Sequence, residues 1–135
     1  MAVDEDIERI RNGYAAFNAG DLESFVEHMS KDVELHPVLG DVIGGDVFRG
    51  HEGAVRWREV ITSTLDGFHV GVEEIIPAGE GVYVAFVHFT GTGTTSGVEV
   101  TLDAANVFTM RDGVVLRMDS FQDRDDALRT FGIER

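Results

Sequence analysis

The apolar positions change their period once along the chain, from helical to alternating, near residue 68. In the first half, Ile7, Ile10, Tyr14 and Phe17 recur at spacings of three and four and therefore share one helix face. The helices predicted from this pattern cover residues 4–19, 22–29 and 51–65. A short strand over residues 33–39 separates the second helix from the third, and a glycine-rich loop covers 40–50.

In the second half, apolar and polar residues alternate, as they do in half-buried strands. The strands predicted here cover residues 68–76, 82–92, 98–110 and 114–122, and a last helical turn covers 124–131. Arg111-Asp112-Gly113 joins the last two strands as a tight hairpin. Three helices followed by an antiparallel sheet predict an α+β fold, in which residues 1–135 form one domain.

The last hairpin has two predicted faces. Placing Met110 opposite Val114 gives the pairs Phe108–Leu116, Asn106–Met118 and Ala104–Ser120. This face is apolar apart from Asn106, Ser120 and Gln122, so we expect it to be buried. The opposite face carries Val107, Arg117, Asp119 and Phe121, and we expect it to meet solvent or a partner.

Acidic residues dominate the charge: 25 Asp and Glu against 11 Lys and Arg give a net charge of −14. Such a chain repels phosphate backbones and anionic membrane surfaces, so neither nucleic acid nor membrane is an expected partner. The scarcity of lysine, with Lys31 alone, suits a halophilic source, and a high-GC genome gives a similar bias.

Several kinds of site are not expected. The chain has no cysteine, which removes disulfides and thiolate chemistry. Its acidic start does not match a signal peptide and no window has the length of a membrane span, so we expect a soluble cytoplasmic protein. The histidines lack metal-ligand spacing, and the 91–97 segment lacks the lysine of a phosphate loop; no metal or cofactor is expected.

Four stretches together resemble the nuclear transport factor 2-like superfamily, specifically its SnoaL-like and ketosteroid-isomerase-like branch. They are residues 14–21 (YAAFNAGD), 32–37 (DVELHP), 50–53 (GHEG) and 106–115 (NVFTMRDGVV). The resemblance implies a conical α+β barrel with three N-terminal helices on a curved antiparallel sheet. It also implies a cavity between the helices and the concave face, and a homodimer through the outer face, where Arg117 could meet Asp119 or Asp103 of the mate.

The resemblance also implies site positions. His36 takes the place of the isomerases' aspartate base, Asn106 falls near their neutral-aspartate donor, and Tyr14 lies beside the place of their oxyanion tyrosine. Asp119 is nearest to the acid/base aspartate of the cyclases, although the predicted register faces it outward. The epoxide-hydrolase positions would hold Phe86, His88 and Ser120, which do not support that chemistry.

We therefore expect an enzyme that performs acid/base chemistry, without a cofactor, on a small apolar carbonyl compound. The expected catalytic residues are His36, Asn106 and Asp119. The expected substrate-contacting residues are Tyr14, Phe17, Trp57, His88, Phe108, Met118 and Ser120. The alternative is a non-catalytic ligand-binding or dimerisation module, in which His36 bonds to backbone, Tyr14 and Trp57 pack in the core, and Asp119 is a surface charge.

Overall fold

The predicted helices and strands follow one another in the predicted order in the computed structural model, which describes residues 2–37, 47–130 and 132. One further short strand, Phe48–Arg49, lies within the predicted glycine-rich loop. The helices are α1 (Ala2–Ala19), α2 (Leu22–Val26), α3 (Gly50–Thr64) and α4 (Arg124–Thr130). The strands are β1 (Met29–His36), β2 (Phe48–Arg49), β3 (Leu65–Gly79), β4 (Val82–Gly93), β5 (Glu99–Arg111) and β6 (Val114–Phe121). The second helix is shorter than predicted and β1 begins earlier, whereas most of the glycine-rich loop lies outside the described residues.

The six strands form one curved, unclosed sheet in the order β2-β1-β6-β5-β4-β3. All neighbours are antiparallel except β1 and β6, which run parallel. The parallel pair was not predicted because alternation reveals which residues share a face, not the direction of a strand far away in sequence. The predicted α+β class is confirmed. No described helix is long and apolar enough to cross a bilayer.

Local signals set the positions of the first two helices. Gly20 adopts φ +77 and ends α1, and the Asp21 side chain then accepts a hydrogen bond from the Ser24 backbone, which caps α2. The Asn18 side chain exchanges two hydrogen bonds of 2.9 Å with the backbone of Val70 in β3. These bonds fix the C-terminal end of α1 to the edge of the sheet.

Two apolar clusters lie on the two faces of the sheet. The larger one fills the space between the helices and the concave face. The smaller one consists of Val84, Phe86, Ala105 and Val107 on the outer face, covered by Ala127 of α4. Val107 is thus completely buried rather than available to a second subunit, and Arg117 pairs with Asp119 of its own chain. The expected homodimer stays a prediction.

The predicted hairpin register is wrong by two residues. Phe108 lies opposite Met118 and Asn106 opposite Ser120, with an irregularity between Thr109 and Met110. A bulge of this kind adds a residue to one strand, which sequence alternation alone does not reveal. Because a shift of two residues preserves the faces, the predicted inward direction of Asn106, Phe108, Met118 and Ser120 is unaffected.

Candidate functional site

A cavity lies between the first three helices and the concave face of the sheet. Its wall is mostly apolar and includes Phe17, Phe25, Leu35, Trp57, Phe108 and Met118. The cavity volume, measured as the space open to the centre of a water molecule, is about 60 Å³. A sphere of that volume whose radius is increased by the radius of water encloses roughly 230 Å³, which is the size of a one- or two-ring molecule.

Three polar side chains from three different elements form a chain of hydrogen bonds on this wall. Ser120 Oγ of β6 donates to Asn106 Oδ1 of β5, and Asn106 Nδ2 donates to the Tyr14 hydroxyl of α1 across 2.7 Å. The first bond orients the buried amide so that its donor side meets Tyr14. Because the Tyr14 oxygen already accepts a bond, its own proton is directed to another acceptor, and no described residue provides one.

Tyr14 can act as a donor but not as a base at neutral pH. Burial raises the pKa of its phenol well above the usual value, and the hydrogen bond from Asn106 opposes that rise only in part. The hydroxyl therefore keeps its proton across the physiological range. Its ring packs edge-on against Phe108, with 5.9 Å between ring centroids, which holds the hydroxyl in place.

The Trp57 side chain also lines the cavity. Its ring contacts Phe17, with ring centroids 5.1 Å apart, and the residue is 8 % exposed. The indole nitrogen is buried and has no hydrogen-bond partner within the described part of the chain. A buried N–H without an acceptor is uncommon in native structures.

The rim of the cavity carries the more polar residues Arg9, Ser24 and His28. Arg9 donates to Asp6 Oδ1 across 3.2 Å, and the other oxygen of Asp6 accepts the Tyr83 hydroxyl at 2.8 Å. The side chain of His28 is 41 % exposed. Sequence reasoning missed Arg9 and His28 at the cavity because neither lies in a motif or on an apolar periodic position.

Seven of the ten predicted site residues meet at this cavity. They are Tyr14, Phe17, Trp57, Asn106, Phe108, Met118 and Ser120. The other three, His36, His88 and Asp119, lie on the opposite face of the sheet and do not reach it.

His36 points outward because Leu35, its neighbour in β1, points into the cavity. The His36 imidazole instead lies 3.2 Å from the Glu34 carboxylate. The expected role as a cavity base is therefore wrong for this residue. The alternation of Val33 and Leu35 with Glu34 and His36 already predicts that His36 points away from the core. The expected role of His36 followed the family position instead.

Asp119 points outward for the same reason, since Met118 and Ser120 line the cavity. Arg117 donates to both of its oxygens, at 2.8 and 3.0 Å, and this pair raises the pKa of the arginine. A carboxylate held in this way on the outer face has no access to a molecule in the cavity. The predicted outward direction of Asp119 agrees with the structure although the predicted register does not, and the cyclase-like role does not transfer to this residue.

His88 was expected at the cavity and lies on the outer face, in contact with Asp103 at 2.7 Å. This hydrogen bond lowers the pKa of Asp103. The ligand atoms of Glu73, His88 and Asp103 lie within 4.8 Å of one another, the one such group in the described ranges. Arg124 donates to Glu73 at 2.7 Å and places a positive charge beside this group, which disfavours a metal ion there.

Comparisons with known proteins agree with this architecture. A family model described as a SnoaL-like domain matches residues 10–118. TerC, crystallised with polyporic acid, is 29% identical with a TM-score of 0.77, covering 95% of this chain and 98% of that chain. No curated protein matches the chain at a significant level.

Two further structures share the fold. IdmH from Streptomyces antibioticus, a candidate polyketide cyclase, is 22% identical with a TM-score of 0.72, covering 95% of this chain and 99% of that chain. RV0760c from Mycobacterium tuberculosis, in complex with estradiol-17beta-hemisuccinate, is 15% identical with a TM-score of 0.75, covering 90% and 95%.

Proposed function

The chain belongs to the SnoaL-like domain family, and from that premise we propose that it performs acid/base chemistry on a small, largely apolar carbonyl compound. The observation that carries the proposal is the chain of hydrogen bonds from Ser120 through Asn106 to Tyr14, at the wall of an apolar cavity. It ends in a hydroxyl whose proton is free for a ligand oxygen.

The ligand's carbonyl oxygen would accept the Tyr14 proton in a hydrogen bond, and the second N–H of Asn106 is a further donor beside it. When a proton leaves the carbon next to the carbonyl, the electron pair of that C–H bond moves toward the oxygen as an enolate. Preoriented donors in a site without water stabilise this developing charge more than water does. The raised pKa of Tyr14 keeps its hydroxyl protonated for this role.

His28 is the group that would take the proton. Among the described residues that line the cavity it is the one histidine, and none of them is Asp or Glu. The carboxylate of Glu27, outside that lining, lies 3.8 Å from the His28 imidazole nitrogen. The imidazole nitrogen of His28 would accept the proton from the carbon. Return of that proton to another carbon of a conjugated enolate gives an isomer; where the molecule holds a second carbonyl, attack of the enolate carbon on that carbonyl carbon forms the ring bond, and the proton goes to the alkoxide that results. Histidine commonly performs such transfers in enzymes.

The comparison with TerC supports a small molecule as the ligand, because that protein was crystallised with polyporic acid. RV0760c holds a different small molecule on the same fold. Neither protein identifies the substrate of this chain.

A non-catalytic binding module is the second proposal. It is favoured by the position of His28 at the rim, 41 % exposed, away from the buried donors. In that case the cavity would bind the same class of carbonyl compound and leave it unchanged.

One experiment separates the two proposals. The bicyclic ketone 1-tetralone is added in deuterated buffer; binding is followed by the fluorescence of Trp57, the one tryptophan, and exchange of the protons beside the carbonyl by NMR. We expect binding and exchange above the buffer rate, with Tyr14→Phe and His28→Gln each slowing exchange about 100-fold.

The matched control is His69→Gln, since His69 is exposed on β3 and does not line the cavity. Its exchange rate should equal that of the unaltered protein. Binding without exchange would refute the proposed catalysis and support the non-catalytic binding module. The absence of binding would refute both proposals.

A further inference from the structure

We propose that Gly13 is a specificity-determining residue, because the space beside its Cα is occupied by the ligand and sets the size of the molecule that the cavity accepts. This inference rests on the proposed function, since it concerns the carbonyl compound that Tyr14 would hold. It assigns a role to a residue that contributes no chemical group of its own.

Gly13 lies in the interior of α1, where glycine is an unfavourable residue. The helix runs from Ala2 to Ala19, and the residues on both sides of Gly13 are helical. Glycine at such a position lowers stability relative to alanine, because it loses more backbone freedom when the chain folds. Its presence therefore requires a reason in the backbone, in the packing or in the function.

Neither the backbone nor the packing supplies this reason. Gly13 does not adopt a positive φ angle, in contrast to Gly20 at the end of the same helix. A Cβ built on Gly13 would have no described atom within 4 Å apart from its chain neighbours and the backbone of its own helix. A Cβ on Gly53 of α3, by comparison, would lie 2.9 Å from the backbone of Phe48, so close packing explains that glycine.

The open space beside Gly13 belongs to the cavity. Arg9 and Phe17 lie one helical turn before and after Gly13, on the same face of α1, and all three residues line the cavity. Arg9 is at the rim, whereas Phe17 is almost fully buried. Gly13 is thus on the wall between the rim and the inner end, next to Tyr14, and a ligand that extends from the Tyr14 hydroxyl toward the rim occupies this space.

A side chain at this position would take room from the ligand. The cavity is small, with about 60 Å³ open to the centre of a water molecule, so the four carbons of a leucine side chain would fill much of it. Well-packed protein interiors accommodate extra groups only by displacing their neighbours. Glycine at position 13 therefore favours the larger of two ligands at the expense of helix stability.

The test compares Gly13→Ala and Gly13→Leu with the unaltered protein. Both replacements favour a helix, so both variants should melt about 3 °C higher when followed by circular dichroism. Calorimetry measures the affinity for 1-tetralone, which has two fused rings, and for cyclohexanone, which has one. We expect 1-tetralone to bind about threefold more weakly to Gly13→Ala and about thirtyfold more weakly to Gly13→Leu, with cyclohexanone changed less than about threefold.

The matched controls are Asn12→Ala and Asn12→Leu. Asn12 precedes Gly13 in α1, is exposed and does not line the cavity. Asparagine is also a weak helix former, so these variants should melt at a higher temperature with both affinities unchanged. A gain in stability together with a loss of 1-tetralone binding at position 13 alone is a result that a purely structural role does not produce.

Two results would overturn the role of Gly13 and leave the proposed function intact. One is an equal affinity for 1-tetralone in the unaltered protein and the Gly13 variants, and the other is a lower melting temperature in Gly13→Ala. If Gly13→Leu did not fold, Gly13→Ala would decide between these outcomes by itself. If 1-tetralone did not bind the unaltered protein, the proposed function would fail, and this inference with it.

Discussion

The two faces of the sheet use polar residues in opposite ways. On the inner face, the neutral side chains of Ser120 and Asn106 join Tyr14 of α1 in a chain of hydrogen bonds on an apolar wall. The outer face places charged side chains in pairs near water, as in His36 with Glu34. It also carries a small apolar cluster that α4 covers.

This difference shows where chemistry is possible. The ionisable residues among the expected site residues, His36, His88 and Asp119, lie on the outer face, each beside a charged partner of its own chain. The inner donors are neutral, and burial strengthens their effect on any oxygen beside them. Under the proposed function, catalysis at the inner face would depend on donors that hold their protons, and His28 at the rim would act as the base.

The substitution with the largest expected effect tests whether α4 covers the apolar cluster on the outer face. Val107→Asp would place a carboxylate in the cluster under α4, where Val107 is 0% exposed. We expect the free energy of unfolding to fall by about 4 kcal/mol or more, because the charge is buried without a partner. Urea denaturation followed by circular dichroism measures this loss.

Thr109→Asp is the matched control, since Thr109 lies two residues further on the same face and is only half-buried. Its cost should be about 1 kcal/mol or less. Equal losses in the two variants would show that α4 does not seal the cluster.

The predicted homodimer concerns the same face. If Val107 and Phe121 met a second subunit, α4 would have to leave this surface, and the stability would depend on protein concentration. Light scattering over a salt series measures the assembly, which we expect to strengthen as salt screens the net charge of −14. A mass of about one chain, 14.8 kDa, at every concentration and salt would rule out the dimer.

The second prediction tests whether water reaches the tyrosines at the inner face. Burial raises the pKa of both tyrosines in the chain, and for Tyr83, which also donates to Asp6, it reaches about 12. The folded protein should keep both phenols protonated at about pH 11, where unfolded tyrosine is mostly ionised. Absorbance near the phenolate band, with and without urea, measures the difference.

These raised pKa values make the stability of the folded protein depend on pH. Unfolded tyrosines release their protons above about pH 10, while the folded ones retain them. The stabilisation is therefore complete below that pH and is lost as the pH rises toward the folded values, by up to about 1.4 kcal/mol per unit for each tyrosine. Ionisation near pH 10 in the folded protein would mean that water reaches the rings.

The third prediction distinguishes the two tyrosines by function. Tyr83→Phe removes a donor from the buried carboxylate of Asp6 and should cost about 1–3 kcal/mol, with no change in 1-tetralone binding. Tyr14→Phe should reduce that binding about tenfold. Denaturation and fluorescence titration of both variants test this, and a binding loss in Tyr83→Phe comparable to that in Tyr14→Phe would contradict it.

The smallest expected effect concerns the outer histidines. His36→Gln and His88→Gln remove exposed pairs with Glu34 and Asp103, and neither side chain reaches the cavity. We expect the urea midpoint, the ligand affinity and the proton exchange rate to be unchanged within error. Loss of exchange in His36→Gln would restore this residue as the base and refute the role of His28.

The sequence alone determined the order of helices and strands, because the period of apolar residues reports local geometry directly. It also determined that Asn106, Phe108 and Ser120 share a face, since that relation survives the two-residue error in the hairpin register. The family followed from motifs spread over the chain, which the SnoaL-like match to residues 10–118 confirms.

Only the tertiary structure decided which face each strand turns to the cavity. In β4, Tyr83 and Ala85 are buried beneath the helices while Val84 and Phe86 are buried beneath α4. With both faces apolar, alternation disappears there and the direction of His88 is undetermined by sequence. The hydrogen bonds among Ser120, Asn106 and Tyr14 likewise join residues far apart in the chain, so only packing in three dimensions brings them together.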